Sequence, residues 1–275
     1  MSSADVKSLG LVSRHFRMFA TNWLWRRTRP LSAPEFLECY FDMMRYSPAC
    51  RAAVVTNLDI TLTPLPHHTS PSSRSVLSHL SSVMVHLSRL SELRLNGHVS
   101  KDDVRDVLWN LHREASLRIF HCEDDALAHA SWYSLIRHRQ LEELGVFFDA
   151  RTCPWSYSAD VFPRLRVLDT GAPFAMQVRR PPLSLTHLSI RHEWAPQGPL
   201  LTRISLVLGR QLLSLRLLRE TIPRYVLWGR NQSVEHPLFV CALVRLHTLR
   251  YLEIRDTPST VLLVSTSGLY GRQLY

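Results

Sequence analysis

The chain has 275 residues, of which 45% are hydrophobic and 20% are charged, a composition typical of a globular protein with a sizeable core. It contains no run of about 18 uncharged apolar residues and no apolar signal core after Met1. We therefore expect no membrane span and a cytoplasmic or nuclear location. The five cysteines are an odd number without Cys-x-x-Cys spacing, which argues against a disulfide scaffold and a zinc site.

The formal net charge of +10 raises the question of nucleic-acid binding. Lys7 and Lys101 are the only lysines, so 31 of the 33 basic residues are arginines, and these are spread along the whole sequence. The densest cluster is Arg26, Arg27 and Arg29. Because the charge is dispersed, nucleic-acid binding is only the third hypothesis for the function of this chain.

Residues 1–30 have the pattern of amphipathic helices. Asp5 suits the N-cap of a helix, and its apolar residues fall on one face at helical spacing. These residues are Val6, Leu9, Val12, Phe16 and Phe19. The simplest interpretation is an N-terminal cap that covers the open edge of a repeat array.

The same segment resembles the second half of an F-box. The family reads Asp-Leu-x-x-Leu-x-x-Val-Ser/Cys-Lys/Arg-x-Phe/Trp-Arg followed by Leu-Trp, and the residues that match it in order are Asp5, Val6, Leu9, Val12, Ser13, Arg14, Phe16, Arg17, Leu24 and Trp25. The family's opening helix should precede Asp5 by some fifteen residues, so the resemblance implies an F-box truncated at its N-terminus. It also implies that a Skp-family adaptor of a cullin RING ubiquitin ligase binds through Val6, Leu9, Val12, Phe16 and Leu24.

After a helical connector expected over residues 31–50, the sequence repeats the pattern Leu-x-x-Leu-x-Leu. Eight copies, two of them imperfect, occur at Val55, Leu58, Ile60; Leu90, Leu93, Leu95; Glu114, Leu117, Ile119; Leu141, Leu144, Val146; Leu165, Leu168, Thr170; Leu185, Leu188, Ile190; Leu212, Leu215, Leu217; and Leu249, Leu252, Ile254. Most copies are about 20 to 29 residues apart, the period of a leucine-rich repeat. The pattern predicts an irregular α/β leucine-rich-repeat solenoid over residues 51–257, with parallel strands on one face and helices on the other. Together with the F-box-like segment, the chain resembles divergent fungal F-box and leucine-rich-repeat proteins.

The segments between the copies predict return helices. Apolar residues recur at helical spacing in three of them: Val76, Leu80, Val83 and Leu87; Val104, Val107, Leu108 and Leu111; and Leu201, Ile204, Val207 and Leu208. The position eight residues after each first leucine usually holds Asn or Cys in such repeats. Cys122 alone matches it here, so we expect an irregular array.

The residues that alternate with the buried leucines should line a concave face that binds a partner. The predicted set is mixed in sign and comprises Glu92, Arg94, Arg118, Glu143, Gly145, Asp169, Ser189, Arg216, Tyr251 and Glu253. Mixed charge suits a protein surface better than a polyanion. The rhythm stops after Ile254, and no capping helix is visible over residues 258–275. We therefore expect a poorly ordered tail and association through an open edge.

No catalytic motif is present. The sequence lacks Gly-x-Ser-x-Gly, Gly-x-Gly-x-x-Gly, a phosphate loop and His-Glu-x-x-His. His67 and His68 lie in a proline-rich stretch typical of a surface loop, and His121 and Cys122 would point to opposite faces of a strand. We therefore expect a non-enzymatic protein without catalytic residues, metal or cofactor. The first hypothesis is a substrate-recognition subunit that resembles F-box proteins and binds an unidentified protein target, and the second is a plain interaction scaffold.

Overall fold

A computed structural model describes residues 31–45, 55–62, 73–97, 101–122, 133–146, 161–177, 181–192, 197–221 and 244–258. The chain divides into two compact units. The first comprises residues 1–154 and 160–165, and the second comprises residues 155–159 and 166–275. The first thirty residues, which carry the F-box-like pattern, lie outside the described ranges.

Within the described ranges, the first unit has five parallel strands in chain order. They are β1 (Leu31–Ser32), β2 (Asn57–Leu62), β3 (Glu92–Gly97), β4 (Ile119–Cys122) and β5 (Glu143–Val146). The helices described between them are α1 (Ala33–Arg45), α2 (Ser73–Met84) and α3 (Lys101–Trp109). The pairing of β1 with β2 places a strand ahead of residue 51, where the leucine pattern predicted the first repeat. A two-residue strand is too short to show that pattern.

The helices of the first unit bury the apolar stripes seen in the sequence. Val76, Leu80 and Val83 of α2 are 1% exposed or less, as are Val104 and Val107 of α3. These two return helices are therefore confirmed. At the start of helix α1 the carboxylate of Glu35 accepts both the backbone N–H and the hydroxyl of Ser32, at 3.0 and 2.9 Å. The first of these is one of the two bonds of a capping box.

The strand register of the first unit shows that one of the predicted repeats was aligned incorrectly. Leu93 of β3 lies opposite Phe120 of β4, and Phe120 lies opposite Leu144 of β5. Leu117 was predicted to occupy this strand position, but it lies two residues before β4 and is the first apolar residue of its motif. The true copy is Leu117, Phe120 and Cys122, all 1% exposed or less. A search for leucine spacing missed this copy because a phenylalanine and a cysteine occupy positions that usually hold leucine.

Cys122 consequently has a different role from the one predicted. Its strand partners are Leu95 and Val146, so it is an apolar residue of the core. The assignment of Cys122 to the polar turn position of a leucine-rich repeat was wrong. The predicted motif began at Glu114, three residues before the observed first position at Leu117. Cys122 is buried and is not part of a disulfide.

The described part of the second unit has four parallel strands: β6 (Val167–Gly171), β7 (His187–His192), β8 (Ser214–Thr221) and β9 (Tyr251–Pro258). Helix α4 (Ala172–Gln177) follows β6, and α5 (Gln197–Leu208) precedes β8. Leu168, Leu188, Leu215 and Leu252 lie in one register across the four strands, as predicted. The first three are 3% exposed or less, whereas Leu252 is 39% exposed.

A shared carbonyl at the entry of each strand shows which residues are equivalent. In the first unit, the carbonyl of Ser91 accepts the N–H groups of Arg118 and Ile119, at 2.7 and 3.0 Å. The carbonyl of Arg118 in turn accepts those of Glu142 and Glu143, at 2.8 and 3.0 Å. The carbonyls of Thr56, Arg166, Thr186 and Leu213 do the same in their repeats. One strand per repeat, a common entry turn and an alternating buried face make the architecture of each unit that of leucine-rich repeats.

Candidate functional site

The candidate site is the face of each sheet that carries the residues alternating with the buried apolar ones, here called the polar face. Strand β3 illustrates it, because Leu93 and Leu95 are fully buried whereas Glu92, Arg94 and Asn96 are partly exposed. In the first unit the register brings Asp59, Arg94, His121 and Gly145 side by side. The polar side chains of neighbouring repeats are therefore close enough to interact.

A three-residue charge cluster forms on the polar face of the first unit. The Nε2–H of His121 donates to Oε1 of Glu143 at 2.8 Å, since a carboxylate can only accept. Nη2 of Arg94 lies 3.7 Å from the same oxygen. The hydrogen bond from His121 is the main cause that lowers the pKa of Glu143, partial burial opposes it, and the charges of His121 and Arg94 lower it further. Glu143 is thus held ionised by residues from the two preceding strands.

His121 was not among the predicted binding residues, and Arg118 was predicted in its place. Arg118 precedes β4, at the strand entry that Ser91 occupies in the previous repeat. Its guanidinium makes a two-bond ion pair with Glu142, with Nε to Oε1 at 3.0 Å and Nη2 to Oε2 at 2.8 Å. The pKa of Arg118 is raised mainly by this hydrogen bond and by the charge of Glu142. Arg118 and Glu142 therefore link successive repeats at the strand entries, beside the row that contains His121.

The polar face of the second unit has the register row Asp169, Ser189, Arg216 and Glu253. Nε of Arg216 lies 3.1 Å from Oε2 of Glu253, and the hydroxyl of Tyr251 donates to the same oxygen at 3.2 Å. Nη2 of Arg191 lies 3.7 Å from Oδ2 of Asp169. All four predicted residues on this row, and Tyr251, therefore lie on one face.

Two oxygen atoms of this row have unmet hydrogen-bonding capacity. Oδ1 of Asp169 and the hydroxyl of Ser189 are buried and have no hydrogen-bond partner within the described ranges. A buried polar atom without a partner costs about 1–3 kcal/mol. Because both atoms occur on adjacent strands, they are candidates for hydrogen bonds to a bound partner.

The described residues contain no group of three or more His, Cys, Asp or Glu side chains that could hold a metal ion. His121 and Cys122 lie on opposite faces of β4 as predicted, the histidine on the polar face and the cysteine in the core. His67 and His68 fall outside the described ranges. No helix of the described part is long and apolar enough to cross a membrane.

The predicted adaptor-binding residues cannot be located in the structure. Val6, Leu9, Val12, Phe16 and Leu24 all lie outside the described ranges, and so do residues 259–275 of the predicted tail. The interpretation of these two segments stays a prediction from the sequence.

Comparison with known proteins yields a structural likeness. No family model matches the sequence, and no curated protein matches it significantly. Among solved structures, the chain is similar to the leucine-rich repeat-containing protein LegL7 from Legionella pneumophila, with 11% sequence identity, 82% of this chain and 80% of that chain covered, and a TM-score of 0.40. At this level the likeness carries no argument. The description as leucine-rich repeats rests on the strand register and the repeated entry turns.

Proposed function

We propose that this chain is a non-enzymatic protein-interaction scaffold that binds a protein partner along the polar faces of its repeats. The observation that carries the proposal is the row Asp169, Ser189, Arg216 and Glu253, which presents charges of both signs in register on one face. A parallel repeat sheet provides an extended surface of this kind. The alternation of sign favours a protein partner over a polyanion, whose phosphates the carboxylates would repel.

Photocrosslinking at a single position tests this proposal. Tyr251, on the polar face and 54% exposed, is replaced by p-benzoylphenylalanine, and the matched control replaces Leu206 of α5, which is 64% exposed. In cells that express the chain, we expect a discrete crosslinked protein from position 251 and none from position 206. A protein that crosslinks equally from both positions would contradict binding through the polar face.

We further propose that the scaffold is the substrate-recognition subunit of a cullin RING ubiquitin ligase. The support is the F-box-like sequence from Asp5 to Trp25, which resembles the second half of an F-box. The test is co-purification of the full chain with a Skp-family adaptor. Wild type should retain the adaptor, Phe16→Asp should lose it and Arg216→Glu should keep it. Failure of wild type to bind the adaptor favours the plain scaffold, and salt-sensitive retention on RNA would favour nucleic-acid binding instead.

A further inference from the structure

A groove in the first unit lies among the segments that return between strands. It has a volume of about 720 Å³, within the range of ligand-binding clefts. The groove is lined by Val85 after α2, by Trp109 at the end of α3 with the turn that follows, and by Ser134, Arg137 and His138. None of these residues belongs to the polar face of the sheet.

The groove exposes a large aromatic side chain. Trp109 is 63% exposed, and the guanidinium carbon of Arg137 lies 5.3 Å from the centre of its ring. This distance is that of a cation–π interaction, which orients the guanidinium on the ring. Val85, 44% exposed, adds apolar surface. Covering Trp109 would remove apolar area from water, which is favourable by about 25 cal/mol per Å².

The charge of the groove is predominantly positive. Among the described residues that line it, Arg113, Arg137, His112 and His138 stand against one carboxylate, that of Glu114. The pKa of His138 is lowered, chiefly by burial and also by the charge of Arg137. The guanidinium groups of Arg113 and Arg137 carry positive charge at neutral pH, and a ligand that complements this lining carries negative groups.

Ser134 gives the groove a further polar position. The residue is 2% exposed, and its hydroxyl is buried without a hydrogen-bond partner in the part of the chain that the structure describes. Leaving a buried hydroxyl unpaired costs free energy that a bound polar group would recover. This observation is independent of the exposed tryptophan and of the charge.

We propose that this groove binds an acidic peptide segment of a partner protein. Carboxylates of the peptide pair with Arg113 and Arg137, an apolar side chain covers Trp109, and a polar group of the peptide bonds the hydroxyl of Ser134. Sequence-independent sites for single-stranded nucleic acid combine a basic track with several aromatic side chains that stack successive bases. This groove is lined by one tryptophan among its described residues, which favours a peptide with one apolar anchor.

Fluorescence anisotropy with a defined probe tests the proposal. The probe is the fluorescein-labelled octapeptide Glu-Glu-Leu-Asp-Glu-Phe-Asp-Glu, and its control has Gln and Asn in place of the acidic residues. We expect the full chain to bind the acidic peptide at least tenfold more tightly than the control. Arg137→Glu should weaken binding at least tenfold, whereas Arg105→Glu, an equal charge change on the exposed side of α3, should change it less than twofold. Arg113→Glu serves as a second variant if Arg137→Glu fails to fold by circular dichroism.

Three results would overturn the proposal. The first is equal affinity for the acidic and the amide peptide, and the second is an equal effect of the changes at Arg137 and Arg105. The third is tighter binding of an oligo-dT strand with the same dependence on Arg137, which would make the groove a polyanion site. Arg216→Glu on the polar face of the second unit should leave peptide binding unchanged, so this test and that of the scaffold function fail separately.

Discussion

The imidazole of His121 occupies the space above Gly145 that a side chain at position 145 would fill. A Cβ built on Gly145 would collide with the ring at Nδ1, Cγ and Cε1. The two residues lie opposite each other on β4 and β5, and the same ring bonds Glu143 through Nε2. Glycine at this position therefore allows the charge cluster of the first unit to form.

Gly145→Ala should displace His121 and weaken its hydrogen bond to Glu143. Because a hydrogen bond to a charged group contributes about 1.5–3 kcal/mol and this one is partly exposed, we expect the free energy of unfolding to fall by about 1 kcal/mol. Urea denaturation measures it. In the background of His121→Ala the same change should cost less than half as much, and an equal cost in both backgrounds would show that the ring is not the obstacle.

Glu143 should make the stability depend on pH in the acid range. Its pKa is lowered in the folded state, so the ionised carboxylate stabilises the fold above the unperturbed pKa of about 4.3, and this contribution is lost as the pH falls through the folded-state pKa. The difference in unfolding free energy between wild type and Glu143→Gln should be about 1 kcal/mol at pH 7 and should vanish at low pH. The exposed Glu114→Gln is the control, and a difference that grows on acidification would contradict the assignment.

The register of β4 predicts opposite tolerances at two adjacent residues. Phe120 is fully buried and in line with Leu93 and Leu144, whereas Ile119 lies on the polar face. Phe120→Ala should lower the free energy of unfolding by about 3–5 kcal/mol, and Ile119→Thr by less than about 1 kcal/mol. Thermal and urea unfolding of the two variants compare them directly. A larger loss of stability for Ile119→Thr than for Phe120→Ala would support the register expected from the sequence and contradict the observed one.

Replacing Thr170 should stabilise the fold, because this threonine occupies a core position opposite Ile190. It is fully buried, and its hydroxyl has no hydrogen-bond partner within the described ranges. Thr170→Val keeps the shape and removes the unpaired hydroxyl, so we expect stability to rise by about 1 kcal/mol. The control is Thr248→Val, which removes a hydroxyl that donates to the carbonyl of Leu212 at 2.9 Å and should lower stability. Destabilisation by both changes would indicate that the Thr170 hydroxyl has a partner.

The sequence predicted the parallel strands and the return helices because leucine spacing reports burial directly. It placed Leu93, Leu144, Leu168, Leu188 and Leu215 correctly and failed at Phe120, where a different apolar residue fills the leucine position. That error carried over to the site, since it selected Arg118 and omitted His121. The contacts of His121 with Glu143 and of Arg216 with Glu253 join residues 22 and 37 positions apart, so they depend on a register that spacing alone does not determine.

Binding of a partner protein to the polar face is the main proposal for this chain. Its most direct test is the dissociation constant of the partner captured from position 251, purified and titrated against three forms of the chain by calorimetry. Arg216→Glu reverses a charge on the polar face, and Arg210→Glu makes the same change at an exposed position after α5. We predict at least tenfold weaker binding for Arg216→Glu, or about 1.4 kcal/mol, and less than a twofold change for Arg210→Glu. Equal affinities for wild type and Arg216→Glu would contradict the claim.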